Sequence, residues 1–311
     1  MDTPKDLYKQ LLAVNLTVST VGGRKKLFPT DLGINTSEED KNVLSLGSKK
    51  IIDPDVVRPF LQYKHRAINV LATNGLRFSR LFLVPLDTYN SEVEQQLALL
   101  SDDYYKYKKW FLVNYLDLIQ DWARRNPKWE ESILKNLPSP RYIDEHLHFS
   151  FEPFSIQPAT TALSKKNENK NKFSLREQFL EEISQEAADS MRGFIDGGRL
   201  TRRTLNPLKR ICEKAQKLAF VSPDTEIFFE YLKKTVNRLE GSDEFSRQDI
   251  LQLVGVIQIL INPTAIEMVS AALKDGDNIF DDTGKLSQIS SQAIKAEESK
   301  AQAFLSPASV F

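Results

Sequence analysis

Two short runs place consecutive cations directly behind glycines: Gly22-Gly23-Arg24-Lys25-Lys26 and Gly47-Ser48-Lys49-Lys50. Glycine frees backbone amides to turn towards a ligand, and the following cations neutralise anionic charge, so each run is a candidate phosphate grip. Neither has the glycine spacing or terminal hydroxyl residue of a phosphate-binding P-loop. The alternative is a basic turn kept in water. Residues 21–80 hold eleven Lys/Arg against six Asp/Glu, an excess that favours a polyanion without requiring one.

A second basic concentration runs from Arg192 to Lys217, with eight Lys/Arg against Asp196 and Glu213. Arg199, Arg202 and Arg203 follow Gly197-Gly198, and Lys209 and Arg210 come next in a helical pattern. Arginines at the mouth of a helix suit a nucleic-acid backbone or an acidic protein surface. The same charges can also simply solvate a helix face. Lys165, Lys166, Lys170 and Lys172 reinforce either outcome.

Residue types for catalysis are sparse. His146 and His148 are close enough to share a face of an extended segment, but no Cys partner or HExxH arrangement accompanies them. Cys212 sits in an amphipathic pattern beside Ile211 and Ala215, which reads as a small buried apolar residue. Asp275, Asp277, Asp281 and Asp282 lack the glycine and terminal glutamate of a calcium loop. No catalytic residue, metal or cofactor is expected. Tyr104, Tyr105, Tyr107 and Trp110 resemble a base-stacking platform, yet Tyr104 and Tyr107 belong to an apolar helical stripe. Tyr105 and Trp110 fall off that stripe and are candidate interface residues, with Lys106, Lys108 and Lys109 beside them.

The elements that position these groups are largely helical. Leu86, Tyr89, Val93, Leu97, Leu100, Tyr104, Tyr107, Phe111, Tyr115, Leu118 and Trp122 recur every three or four residues. Their mean spacing of about 3.6 is the α-helical period, not the 3.5 of a left-handed coiled coil. A helix over about 87–124 would be on the order of 50 Å long. Leu112, Leu116 and Ile119 widen the stripe, so its C-terminal half should pack more deeply. Such a helix needs a partner helix, from this chain or from another copy.

Before it, Leu12 to Val21 forms a short β-prone run, and Asp53-Pro54 opens a helix that Asn74-Gly75 stops. Pro138, Pro140, Pro153 and Pro158, then Ser164 to Lys172, read as a connector. Ser174 and Glu177, Asn206-Pro207, Ser222-Pro223, Ser246 with Asp249, and Asn262-Pro263 mark successive helix starts. The expected fold is mainly α: an elongated helical protein with a long amphipathic helix folded into a hairpin, a small β or irregular N-terminal part and a compact C-terminal helical region. The expected divisions are an N-terminal region over 1–137, a connector over 138–172, a helical region over 173–276 and a mobile tail over 277–311.

Composition restricts the class. The 311 residues carry 42 Lys/Arg and 42 Asp/Glu, so no global field attracts a polyanion and any such role needs local patches. Eighteen Phe, nine Tyr and three Trp argue for a packed core. One cysteine excludes an intramolecular disulfide and fits a reducing compartment. The polar N-terminus is unlike a signal peptide, and the apolar run Leu251 to Ile261 is far short of the roughly 20 residues of a membrane span. A cytoplasmic location without a membrane partner is expected.

Gly23-Arg24-Lys25-Lys26-Leu27 with Asp31-Leu32, Leu46-Gly47-Ser48-Lys49, Asp53-Pro54 and Gly75-Leu76-Arg77-Phe78 before Val84-Pro85 occur in an order that resembles the DUF3150 family. Phe111-Leu112-Val113-Asn114-Tyr115 and Trp122 are similar to its later pattern. The resemblance covers most of residues 10–275. It implies a protein of phages, plasmids or integrated elements, encoded near MoxR-like or CobS-like AAA+ ATPases, and it brings no catalytic residues. The function expected first is a non-enzymatic interaction or scaffold protein with a protein partner, an AAA+ ATPase or another copy of itself. The alternative is a nucleic-acid-binding accessory factor in replication, recombination or defence.

Overall fold

The computed structural model describes residues 4–32, 46–135, 137–156, 162–197, 205–241, 245–276 and 292. Arg199, Arg202 and Arg203 lie outside the described residues, as does the expected tail over 277–311 apart from residue 292. The protein is mainly helical, with a small β part near the N-terminus and a C-terminal helical bundle. The chain runs α1 (Pro4–Lys9), β1 (Leu11–Val18), β2 (Arg24–Lys26), β3 (Ser48–Lys50), α2 (Pro54–Asn74), β4 (Leu76–Phe78) and β5 (Leu81–Pro85). It continues through α3 (Glu94–Arg125), α4 (Glu130–Leu134), α5 (Pro140–His146), β6 (Phe149–Ser155) and α6 (Ala162–Gly197). The bundle is completed by α7 (Leu205–Lys217), α8 (Glu226–Glu240), α9 (Arg247–Leu260) and α10 (Pro263–Lys274).

The chain divides into two compact units, each assembled from separated stretches. The first takes Met1–Ala13, Thr73–Thr88 and Ser155–Phe311, and the second Val14–Ala72 and Tyr89–Phe154. Strand pairing and apolar burial join segments that no local composition links. The stretch read as a connector carries α5, β6 and the start of α6. Pro140 occupies the first turn of α5 behind the Ser139 cap, where the missing amide costs nothing, and Pro153 lies on the edge strand β6. The expected helix start at Ser174 falls inside α6, which begins at Ala162. Between Ala162 and Ser174 there is no Pro or Gly to break a helix, and Lys and Glu propagate one readily. Gly193 does not interrupt α6 either.

In the first unit, β4 and β5 pair antiparallel, with Leu76 opposite Leu83 and Phe78 opposite Leu81. Strand β5 also neighbours β1, and Leu86 N–H donates to Gln10 O just beyond them. Gly75 is required before β4, because a Cβ there would stand 2.5 Å from the Leu83 carbonyl oxygen, a backbone atom that cannot swing away. Gly75→Ala is expected to destabilise this unit by about 1–3 kcal/mol, read from its urea midpoint by circular dichroism.

The bundle core joins Phe179 and Ile183 of α6, Leu208 and Ile211 of α7, Phe228 and Leu232 of α8, Val256 and Ile257 of α9, and Ile266 and Val269 of α10. Its helix starts follow local chemistry. Ser246 and Asp249 form a capping box on α9, and Asn262 caps α10 ahead of Pro263. Among the described residues no single helix is long and apolar enough to cross a membrane.

In the second unit, β1 continues beside β6, and Ser19 N–H donates to His148 O. Asp53 accepts from Asp55 N–H at 3.0 Å to start α2, with Pro54 at its first position. A helical turn at Leu86–Thr88 and a wider π-helical turn at Tyr89–Val93 precede α3. Helix α3 buries Leu97, Leu100, Tyr104, Phe111, Tyr115, Ile119 and Ala123. Phe60 of α2 meets Tyr104, Tyr107 and Phe111 edge-on, with ring centroids 5.2–5.4 Å away. Leu116, expected on the widened stripe, is 52% exposed, because one residue past Tyr115 the helix has turned by about 100°.

Candidate functional site

The two glycine-cation runs are not separate turns. They pair antiparallel as β2 and β3, with Arg24 opposite Lys50, Lys25 opposite Lys49 and Lys26 opposite Ser48. Gly23 enters the ribbon at φ 57° and its carbonyl accepts from Ile51 N–H, while Gly47, at φ 78°, accepts from Leu27 N–H. Positive φ is open to glycine at little cost. A Cβ on Gly23 would also stand 2.7 Å from Ile52 Cγ2.

Alternation along the strands sorts the cations onto two faces. Arg24, Lys26 and Lys50 are exposed on one, and Lys25 and Lys49 are half-buried on the other. Lys49 donates to Asp31 Oδ1 at 2.7 Å and to Ser132 Oγ at 2.8 Å. Ser132 Oγ donates to the same carboxylate at 2.9 Å, and Phe28 N–H donates to its other oxygen. Burial by itself would raise the Asp31 pKa. The hydrogen bonds from Lys49, Phe28 and Ser132, with the Lys49 charge, reverse this and hold it at about 2.

Among the described residues, the outer face has no such neutralisation: Arg24, Lys26 and Lys50 have no carboxylate partner, and Arg24 lies directly opposite Lys50. Like charges opposed across a strand pair repel, and an anion seated between them removes the penalty.

Beside β3 lies a cavity of about 270 Å³ whose lining includes Lys49, Lys50, Trp122, Asn126, Trp129 and Ser132. Trp122 is fixed from several sides. Its Nε1–H donates to Lys50 O at 3.2 Å, its carbonyl accepts from Asn126 Nδ2, and the Arg125 guanidinium lies 5.2 Å from its ring centroid. Arg125 is itself held by Asp53 at 2.8 Å. Lys128 Nζ lies 5.9 Å from the Trp129 ring. Sequence reading misses both tryptophans as site residues. In the amino-acid order Trp122 is only the last position of the apolar stripe, and nothing local marks Trp129.

The second basic concentration is placed differently. Arg192 pairs with Asp189, Lys209 with Glu240 and Arg210 with Glu186, while Lys214 reaches Glu182 at 2.6 Å. Four of the five described cations of this stretch therefore face carboxylates within the first unit, and the fifth, Lys217, donates to the side-chain amide oxygen of Asn74. Cys212 is buried there, and burial pushes its thiol up to about 12. The histidines are engaged locally: His146 stacks on Tyr142, and His148 Nδ1 lies 3.1 Å from Ser19 Oγ. Among the described residues no group of three or more His, Cys, Asp or Glu is arranged to hold a metal ion.

Tyr105 and Trp110 both present rings on the surface of α3. The Tyr105 hydroxyl donates to Phe149 O and accepts from Phe149 N–H, and the Trp110 ring packs 5.2 Å from that of Tyr107. Val113, 77% exposed, and Leu116 continue the apolar surface beyond Trp110.

No curated protein matches the chain, and no solved structure matches it. One family profile, described as Protein of unknown function (DUF3150), matches residues 8–262, a span that includes the whole ribbon and its cavity. Over most of its length, therefore, this chain belongs to the DUF3150 family.

Proposed function

We propose that the protein is a non-enzymatic interaction protein of a phage or mobile-element system, working in the cytoplasm, in which α3 is a rigid arm that docks another protein. The reading rests on Trp110, Val113 and Leu116, which stand three residues apart along α3 and are 45%, 77% and 52% exposed. Residues three apart are neighbours on a helix surface, so the three side chains form one apolar strip. Holding such a strip in water is unfavourable, and a partner helix that covers it recovers that free energy. Phe60 of α2 packs on the opposite side of α3, which supports reading these two helices as a hairpin-like base for the arm. Lys109 and Lys106, the latter paired with Asp103 at 3.6 Å, lie on the same exposed side and border the strip with charge.

An AAA+ ATPase of the MoxR or CobS type is the partner proposed. The test is affinity capture from the native host with quantitative mass spectrometry, comparing the wild-type chain with Val113→Glu. The substitution places a carboxylate at a solvent-exposed position, so folding is retained, and capture of the ATPase is expected to fall by about tenfold or more. Equal capture by both chains, or a wild-type chain that comes down alone, overturns the reading.

A second reading, a nucleic-acid-binding accessory factor, is favoured by a separate observation: the opposed cations Arg24 and Lys50 on the exposed face of the ribbon.

A further inference from the structure

We propose that the cavity beside β3 is a base-binding pocket for single-stranded nucleic acid, with the phosphates of the same strand lying along Arg24, Lys26 and Lys50. The proposal deepens the second reading above and rests on it.

The division of charge carries the inference. Of the two lysines that line the cavity, Lys49 is already neutralised by Asp31, and Lys50 is exposed on the outer face of the ribbon. An isolated anion gains little by entering the cavity. Its walls combine the apolar rings of Trp122 and Trp129 with an uncharged hydrogen-bonding group, the Asn126 amide, while the Ser132 hydroxyl is engaged by Asp31 and Lys49. Those walls suit a flat, neutral, hydrogen-bonding ring. The cations that have no carboxylate partner among the described residues lie outside. Lys50 belongs both to the cavity lining and to the outer face of the ribbon, Arg24 is its direct cross-strand neighbour, and Lys128 adds a further cation at Trp129.

A nucleotide has the same division, a neutral aromatic base joined to a charged backbone. Proteins that bind single strands combine an aromatic stacking surface with a cationic track. An acidic peptide satisfies the track but leaves the aromatic walls and the Asn126 amide without a complement. A duplex keeps its bases stacked inside and cannot deliver one without unpairing it. The volume, about 270 Å³, lies near the lower end of small-ligand cavities, which fits one base and not a stacked pair. The Trp122 ring is already held in place by Lys50 O and Arg125, so little order must be imposed when a base arrives.

The test uses the tryptophans themselves. The chain has three, and Trp110→Phe leaves only the two that line the cavity. This protein is titrated with a fluorescently labelled single-stranded oligothymidylate for anisotropy, and with the unlabelled strand for tryptophan quenching. Expected are saturable quenching at the concentration where anisotropy rises, and weakening by about tenfold or more in Trp129→Ala. The logarithm of affinity against the logarithm of salt should have a slope of about −2 to −3, for three to four phosphates at about 0.7 each. Lys50→Gln, at an exposed side chain, should reduce that slope without changing the circular dichroism spectrum.

Binding by anisotropy with no quenching and no effect of Trp129→Ala overturns the pocket while leaving the second reading intact. Absence of binding at low salt overturns both. Duplex DNA or poly-glutamate that binds and quenches as strongly as the single strand also overturns the proposal.

Discussion

Phe60→Ala is expected to destabilise the second unit by about 3–5 kcal/mol. Phe60 is fully buried, and its ring meets Tyr104, Tyr107 and Phe111 edge-on at 5.2–5.4 Å. Truncation removes the transfer free energy of the ring, leaves a cavity and deletes three aromatic contacts, each worth about 0.5–1.5 kcal/mol beyond area. The neighbouring rings are carried by one continuous helix, so they cannot collapse independently into the void. Phe60→Leu refills much of the space and should cost less than half as much. Tryptophan fluorescence reads the effect selectively, because Trp110, Trp122 and Trp129 all belong to this unit. An unchanged urea midpoint for Phe60→Ala would show that the aromatic cluster does not hold α2 against α3.

Lys49→Met is expected to cost about 2–4 kcal/mol, because it leaves the Asp31 carboxylate without its cation. The side chains are 11% and 5% exposed, so water cannot replace the lost partner. Breaking a buried pair from one side costs more than removing both members. The double variant Asp31→Asn/Lys49→Met should therefore be more stable than the sum of the single losses by about 1 kcal/mol or more.

The same site gives a pH signature with a definite sign. The folded Asp31 pKa, about 2, lies below the ordinary 3.8, so the folded form binds its proton more weakly than the unfolded chain. Its contribution is fully present above about pH 4 and is lost as pH falls towards 2. Asp31→Asn should remove this part of the acid transition. Wild-type and variant curves that fall in parallel between pH 4 and 2 would show that the pair carries no linkage. A ribbon loosened by Lys49→Met should also bind polyanions less well even though an exposed cation is not lost, which separates positioning from contact.

Much of the helical framework was legible because its signals are local. The 3.6-residue recurrence of Leu97, Leu100, Tyr104, Phe111 and Tyr115 depends only on helix geometry, and all five are buried. Asp53-Pro54, Asn74-Gly75, Ser246 with Asp249 and Asn262-Pro263 act within a turn of themselves, and helices begin or end at each. The Ser174 start failed for a complementary reason. A capping pattern shows that a helix can begin there, but nothing in the preceding residues prevents one from already running.

The candidate site was legible only in pieces. Arg24 to Lys26 and Ser48 to Lys50 are three-residue strands, too short for any alternation to reveal. Each exists because the other supplies its backbone partners. Of two adjacent lysines, Lys49 is neutralised by Asp31 and Ser132 while Lys50 faces solvent, and no composition distinguishes them. Lys209 and Arg210 are as cationic in the sequence as the ribbon residues, and only the fold sets Glu240 and Glu186 beside them.

By itself, then, the amino-acid order determined that the chain is mainly helical, where several helices start and stop, which faces of them are apolar, and that its positive charge is gathered in a few runs. Tertiary structure alone decided which runs meet, which cations find a carboxylate among the described residues and which tryptophans stand beside them. Helix period and caps are set by neighbours within about four residues, whereas strand pairing and buried ion pairs are set by contacts between segments tens of residues apart.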